Sequence, residues 1–380
     1  MGIDVQEASA LLNERGKQGM QFKHPRFIMK KYDEETLLSS ILYGQYIKYN
    51  ALQNLVQLEF ANSDADEVNV FIDVYEMLLP LYRSLNFKDS VEAISSGVIN
   101  YATHFRAYFR TRHRVESNII FVFSGLNSSN ITRFCPEYNA KYRNRILSND
   151  RMSEQVFLAI ERMKEIIPYL PNIYLKIGSV EPSVIIRDLI LSQTFGDIPN
   201  VVVSPSAYAY QIPAHCPDTV VFRGKRTAHE ITAYSYNFMN AVNAYIYETK
   251  NIVTNEVIYP KLITAVMVLS GIAKRNISSY KSIGNTLELL TGMPKEIVGD
   301  IEAMYKYISD KAAERKWKMM DYELFHNRYM AISIEAQHTL YRSLPECNET
   351  GFLTQLSDKE SVHYVNNKYF AKYPLDLERM

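Results

Sequence analysis

Four polar residues stand where short apolar runs stop or helices start. Asp73 closes Val70-Phe71-Ile72, Ser124 closes Phe121-Val122-Phe123 before Gly125, Glu181 opens Glu181-Pro182-Ser183-Val184, and Ser206 follows Val201-Val202-Val203-Ser204-Pro205. Oxygen-bearing side chains gathered at strand ends suit the binding of hard divalent cations against a phosphodiester. Two-metal cleavage needs several carboxylates to hold ions about 3.5 to 4 Å apart. Of these positions only Asp73 and Glu181 are acidic. Serine at 124, 183 and 206 offers a neutral hydroxyl, which cannot offset the mutual repulsion and dehydration of two dications. Two acids are too few to hold a pair of dications, so no metal is expected, or a weak single ion at Asp73 and Glu181.

Such residues meet only if their strands run parallel and end together. Residues 68 to 74, 119 to 123, 173 to 177 and 201 to 203 are short runs rich in branched side chains, which predict strands. Helical periodicity separates them at 98 to 114, 153 to 169 and 184 to 191. Buried strands alternating with helices predict a doubly wound α/β fold with its site beyond the carboxyl ends of the strands. Before the sheet, residues 1 to 66 carry an apolar pattern (Leu37, Ile41, Leu52, Leu55) that predicts a helical extension. After it, residues 230 to 253 and 260 to 272 predict helices, 273 to 284 a polar turn, and 295 to 342 a further helical stretch ahead of a loosely ordered tail.

The order of these segments resembles the 5′ nuclease superfamily of flap endonucleases, 5′-3′ exonucleases and phage RNase H enzymes, across about residues 68 to 292. Phe71-Ile72-Asp73 matches the aspartate ending the family's first strand, and Ser124-Gly125 stands where the family has an acid before glycine. Arg133-Phe134-Cys135-Pro136-Glu137-Tyr138 resembles its arginine-containing stretch. At the family's acidic helix start, Glu181 stays while Ser183 and Val184 replace two aspartates. Pro205, Ser206, Ala207 and Tyr208 fall on its acidic strand end, with Gln211 in a familiar place. Gly271-Ile272-Ala273-Lys274-Arg275-Asn276-Ile277, leading to Ser282-Ile283-Gly284, is similar to its helix-three-turn-helix, with Ile272 and Arg275 in place of two aspartates.

A turn between helices binds phosphate through backbone amides and small residues rather than carboxylates. Lys274, Arg275, Asn276, Lys281 and Gly284 are the expected phosphate contacts there. Arg106 and Arg110 share a helix face with His113, a second candidate surface, and Arg143 and Arg145 form a third. Overall charge is silent, since Lys plus Arg equals Asp plus Glu at 42 each. The three cysteines lack zinc-like pairing and predict buried free thiols. Twenty-eight tyrosines accompany a single tryptophan. Nucleotide-binding glycine loops, the serine-hydrolase elbow and the zinc-protease helix are absent from the sequence.

The expectation is a PIN-like, mostly parallel α/β core at 67 to 230, a helix-three-turn-helix subdomain at 231 to 294, and helical extensions at 1 to 66 and 295 to 380. The resemblance implies a catalytically inactive 5′ nuclease-like protein that binds nucleic acid or scaffolds a replication, repair or transcription assembly, a viral or phage one among them. Its expected partners are flap, single-stranded or duplex DNA, protein subunits of such a complex, or both. No cofactor is expected, and no membrane; the chain reads as soluble and intracellular. Two alternatives stand beside this: a purely structural subunit, and a divergent active nuclease using Mg²⁺.

Overall fold

The computed structural model describes residues 45–48, 66–74, 91–124, 129–138, 150–178, 180–217, 219–226, 231–236, 241–250, 258–343, 359–370 and 375. Seven strands form one sheet: β1 (Gln45–Lys48), β2 (Glu67–Asp73), β3 (Glu116–Ser124), β4 (Ile173–Gly178), β5 (Asn200–Val203), β6 (Thr219–Arg226) and β7 (Ile231–Tyr236), in the order β1-β7-β6-β5-β2-β3-β4. The five from β6 to β4 are mutually parallel, while β7 and β1 add antiparallel pairs at one edge.

Twelve described helices accompany it: α1 (Val91–His113), α2 (Ser129–Phe134), α3 (Asp150–Ile166), α4 (Pro182–Leu191), α5 (Ile212–His215), α6 (Ala241–Lys250), α7 (Ile263–Ser270), α8 (Ile283–Leu290), α9 (Ile301–Glu314), α10 (Tyr322–Ile332), α11 (Ile334–Ser343) and α12 (Lys359–Tyr369). Side chains alternate across each strand. Phe71, Ile120, Val122, Val202 and Val221 join one core with residues of α4, α7 and α10. Val70, Ile72, Ile119, Phe121 and Val201 join a second core with α1, α3 and α12. Two buried faces explain why these strands read as continuous apolar runs.

At the amino ends of the central strands, Asn69 donates to Asn200 at 3.1 Å and accepts from Asn118 at 3.2 Å. This amide ladder fixes the register of β5, β2 and β3, so the opposite strand ends arrive together.

Three expectations change. Residues 45 to 48 form a strand paired with β7 rather than part of a helix, and residues 231 to 236 form that partner strand. The sheet therefore crosses both boundaries expected for the core. Strand β6 had no place in the sequence reading, because its carboxyl half, Arg223-Gly224-Lys225-Arg226, is not apolar. Finally, Met304, Ile308, Phe325, Tyr329 and Ile332 share the first core, so α9 to α11 belong to the fold rather than to an appendage. Gln211 fastens them: its amide donates to Ile332 O at 2.9 Å and accepts from Thr264 Oγ1 and Ile334 N. Most of the expected N-terminal helix lies outside the described residues. Beyond residue 346, α12 stands in the expected tail.

Candidate functional site at the strand ends

Ile72 pairs with Val203, so Asp73 and Ser204 leave adjacent strands side by side. Ser204 Oγ donates to Asp73 Oδ2 at 2.8 Å and accepts from the Ser206 amide at 3.1 Å. Ser206 then caps the 3-10 turn Ala207–Gln211, accepting from the Tyr208 amide at 3.3 Å. Asp73 and Ser204 are fully buried. Glu181 follows β4 and precedes Pro182, whose ring starts α4 without needing a donor. Its carboxylate caps nothing in that helix and turns instead toward Arg275.

Arg275 completes the arrangement. Its Nη2 donates to Glu181 Oε2 at 3.3 Å and to Ser206 Oγ at 3.1 Å. Its guanidinium lies 5.7 Å from the Tyr208 ring centre and 6.0 Å from that of Tyr138, within cation–π range. Both side chains of the ion pair are buried, Arg275 at 8% and Glu181 at 7% exposure.

The loop after α7 dictates this placement. Gly271 ends the helix at φ 72°, a left-handed conformation, and a Cβ there would lie 2.5 Å from the backbone of Ser278 and Ser279. Only glycine fits so tight a return. Ile272 and Ile277 bridge each other and are both buried, and Asn276 at φ 62° reverses the chain between them. Arg275, closing the short 3-10 turn Ala273–Arg275, is thereby turned into the protein.

Two-metal chemistry does not fit these residues. A guanidinium already neutralises Glu181, and its charge opposes the approach of a dication. Asp73 is buried against a serine hydroxyl. Burial first, and then the Glu181 carboxylate, hold the Tyr208 hydroxyl well above the usual phenol range, so it stays protonated and donates to Ala331 O at 2.9 Å. Ser183 Oγ is buried without a hydrogen-bond partner among the described residues. Among those residues no three His, Cys, Asp or Glu side chains gather as a metal site.

The expected site residues separate into groups. Asp73, Ser124, Glu181 and Ser206 all fall at the carboxyl end of the sheet, and three of them meet through Ser204 and Arg275; the Ser124 side chain lies outside the described residues. Arg275, expected to touch phosphate, faces inward and is committed to Glu181 and Ser206. Arg106, expected along a groove, is 1% exposed and donates to Asn172 O at 2.8 Å. Burial lowers it to about 10, so it remains charged at neutral pH. Arg110 is exposed and forks onto Glu116 at 3.0 and 2.9 Å. Lys281, Gly284 and Asn276 lie at or near the surface of the turn. The Lys274 side chain, Arg143 and Arg145 lie outside the described residues.

Ser204, Tyr138 and Arg328 went unassigned in the sequence reading. Arg328 from α10 holds the turn, donating to Ser278 O and Ser278 Oγ at 3.0 Å each. Nothing local signals this, because its partner lies 50 residues away. Ser278 is thereby committed to the fold, and Ser282 caps α8 by accepting from the Asn285 amide at 3.2 Å.

Two other acids near these elements are engaged elsewhere. Asp188 pairs with Arg187 at 3.0 Å and with His338, joining α4 to α11. Asp197 lines a cavity of about 470 Å³ near the amino ends of β5 and β6, with His215, Cys216 and Thr219. Cys135 and Cys216 are buried free thiols, and Cys347 lies outside the described residues. Among the described residues no helix is long and apolar enough to cross a membrane.

No family model matches the sequence, and no curated protein does. Among solved structures the chain is similar to the flap endonuclease of bacteriophage T5 in a pseudo-enzyme–product complex with DNA and metal ions, at 11% identity and a TM-score of 0.47, covering 82% of this chain and 98% of that one. It is similar to the T5 5′-exonuclease with bound zinc, at 11% identity and 0.48 over the same shares. A third match is the catalytic core of Rad2 in complex with DNA substrate, at 12% identity and 0.38, covering 86% of this chain and 90% of that one. All three matches cover more than four fifths of this chain.

Proposed function

We propose that this protein is a nuclease-like scaffold that does not cleave, and that it binds nucleic acid or holds together a nucleic-acid-processing assembly. The observation that carries the reading is Arg275, whose guanidinium lies between Glu181 and Ser206. A positive charge built into the chain replaces the need for a bound cation and gives the surviving carboxylate a permanent partner. What remains for the strand ends is structural: they tie β2, β5, α4 and the loop after α7 into one core.

Binding then falls to cations around the turn, the half-buried Lys281 among them. DNA is the proposed partner, in flap, single-stranded or duplex form, and the proposed setting is replication, repair or transcription, including that of a virus or phage. The test is fluorescence anisotropy of labelled DNA of all three forms across a salt series. Phosphate contacts predict affinity that falls steeply as salt rises. Absence of affinity at low salt removes the nucleic-acid reading and leaves the purely structural subunit, which the internal pairing of the strand-end groups favours. Incubating labelled flap DNA with Mg²⁺ or Mn²⁺ tests the first half: cleavage that vanishes in Asp73→Ala defeats the non-cleaving reading.

A further inference from the structure

The chain's single tryptophan sits within a run of positive charge, Arg315-Lys316-Trp317-Lys318, between α9 and α10. The fold presents this run. Lys316 N–H donates to Ala313 O at 2.9 Å and Trp317 N–H to Ala312 O at 2.8 Å, the paired bonds of a Schellman cap. That motif places Lys316 at φ 55°, where glycine is favoured and a side chain costs about 1 to 2 kcal/mol. The lysine is exposed. A residue that strains the backbone while facing solvent contributes little to folding.

The neighbouring loop reaches the same place. Lys281 Nζ lies 5.7 Å from the Trp317 ring centre and 5.4 Å from that of Tyr280, and Arg315 Cζ lies 5.7 Å from the Trp317 ring. Trp317 is half-buried against the first core, which fixes its ring. Acids beside this group include the exposed Glu314, next to Arg315 in the chain, Glu288, 3.3 Å from Arg315 Nε and 56% exposed, and Asp321 near Tyr280.

We infer that Trp317, with Lys281, Arg315, Lys316 and Lys318, forms a contact surface for single-stranded nucleic acid, the ring stacking on a base and the cations meeting the flanking phosphates. Resting on the nucleic-acid reading above, this places the contact on the α9–α10 connection together with the turn. A fixed aromatic ring bordered by cations matches the alternation of base and phosphate along an unpaired strand. Every base offers a π face, so the surface is expected to tolerate sequence.

The lone tryptophan makes the test direct. A dye-labelled dT oligonucleotide of about 12 nucleotides, within the usual site size, is titrated into the full chain while its anisotropy and the tryptophan emission are both recorded. Binding with quenched emission is expected. Trp317→Leu, which retains an apolar side chain against the core, should weaken binding about 5- to 100-fold. Lys316→Gly should raise the melting temperature while lowering the salt slope by about 0.7, one phosphate contact on a single strand. Glu288→Gln should tighten binding by freeing Arg315.

Anisotropy binding with unchanged tryptophan emission overturns this surface while sparing the nucleic-acid reading. No binding by either signal overturns this surface, and the nucleic-acid reading falls with it when flap and duplex DNA also fail to bind at low salt. An unaltered salt slope in Lys316→Gly also overturns it, because that variant cannot fail through misfolding at a left-handed position. Equal quenching by polyglutamate assigns the surface to an acidic protein partner and overturns the nucleic-acid assignment.

Discussion

Arg275 and Lys281 belong to one loop six residues apart, yet the first faces the sheet and the second faces outward. Between them Ile277 is buried and Ser278 is clamped by Arg328, so the chain crosses from core to surface within a few residues. The two cations answer different demands. Inside, the guanidinium matches a buried carboxylate and a serine hydroxyl, and its worth depends on both being present. Outside, the ammonium meets aromatic faces and solvent, and losing it strands nothing. Charge at a position therefore says little until the direction of the side chain is known.

The strongest way to break this contrast is Arg275→Ala. It leaves Glu181 buried without its cation, and removing one partner of a buried pair costs about 3 to 5 kcal/mol. The denaturant midpoint should fall accordingly, whereas Lys281→Ala should change stability by less than about 0.5 kcal/mol. Combining Arg275→Met with Glu181→Leu should recover most of the loss, since an apolar pair of similar volume often matches a buried ion pair. A loss below about 1 kcal/mol in Arg275→Ala would show that the pair is solvated, and the account of the strand ends would fail.

Next in size is the dependence on pH at the other end of the sheet. Burial chiefly, and then the charges of Arg187 and Lys261, lower His215 to about 4, while Glu335 acts in the opposite sense. The unfolded chain takes up a proton near 6.5 that the folded chain refuses until about 4. This contribution to stability is complete above pH 6.5 and is lost as pH falls toward 4, by up to about 3 kcal/mol. Urea melts of His215→Gln should lose that slope. A wild-type curve already flat between pH 6.5 and 4 would show that the imidazole is open to water.

Arg106 sharpens the comparison, because it is buried like Arg275 but meets a carbonyl. Arg106→Met keeps much of the packing and removes the charged one of two donors to Asn172 O, which retains the Ile119 amide at 2.9 Å, at a cost of about 1.5 to 3 kcal/mol. That should be smaller than the effect at 275, where a full charge is stranded. Burial first, helped by Glu137, pushes the Cys135 thiol up to about 12, so its alkylation in the native state should be slow at pH 8.

Where pattern alone determines structure, the sequence was readable. Four parallel strands announced themselves through unbroken branched runs, and Asp73, Ser124, Glu181 and Ser206 fell at one end because parallel strands end together. Strand β7 was hidden by tyrosines that read as helix, and β6 by its charged carboxyl half. Arg275 could be located in its turn but not oriented, since its direction depends on Gly271, Asn276 and a carboxylate 94 residues away. Arg106 failed for the same reason: helical spacing groups residues on a face without saying which face is covered.

Arg110 gives the smallest and cleanest contrast, one helical turn beyond Arg106. It forks onto Glu116 at 3.0 and 2.9 Å, but the two side chains are 44% and 51% exposed. The hydrogen bond from Arg110, foremost, lowers the Glu116 carboxyl below the usual range. Its contribution is present above the unfolded carboxylate value and fades as pH falls through the lower folded one. Water and salt screen such a pair, so a double-mutant cycle through Arg110→Ala and Glu116→Ala should give about 0.2 to 1 kcal/mol, shrinking further at 1 M salt. A coupling that matched the 3 to 5 kcal/mol expected at Arg275, or that ignored salt, would mean the exposed cation behaves like a buried one. The distinction between the inner and outer charges would then lose its physical basis.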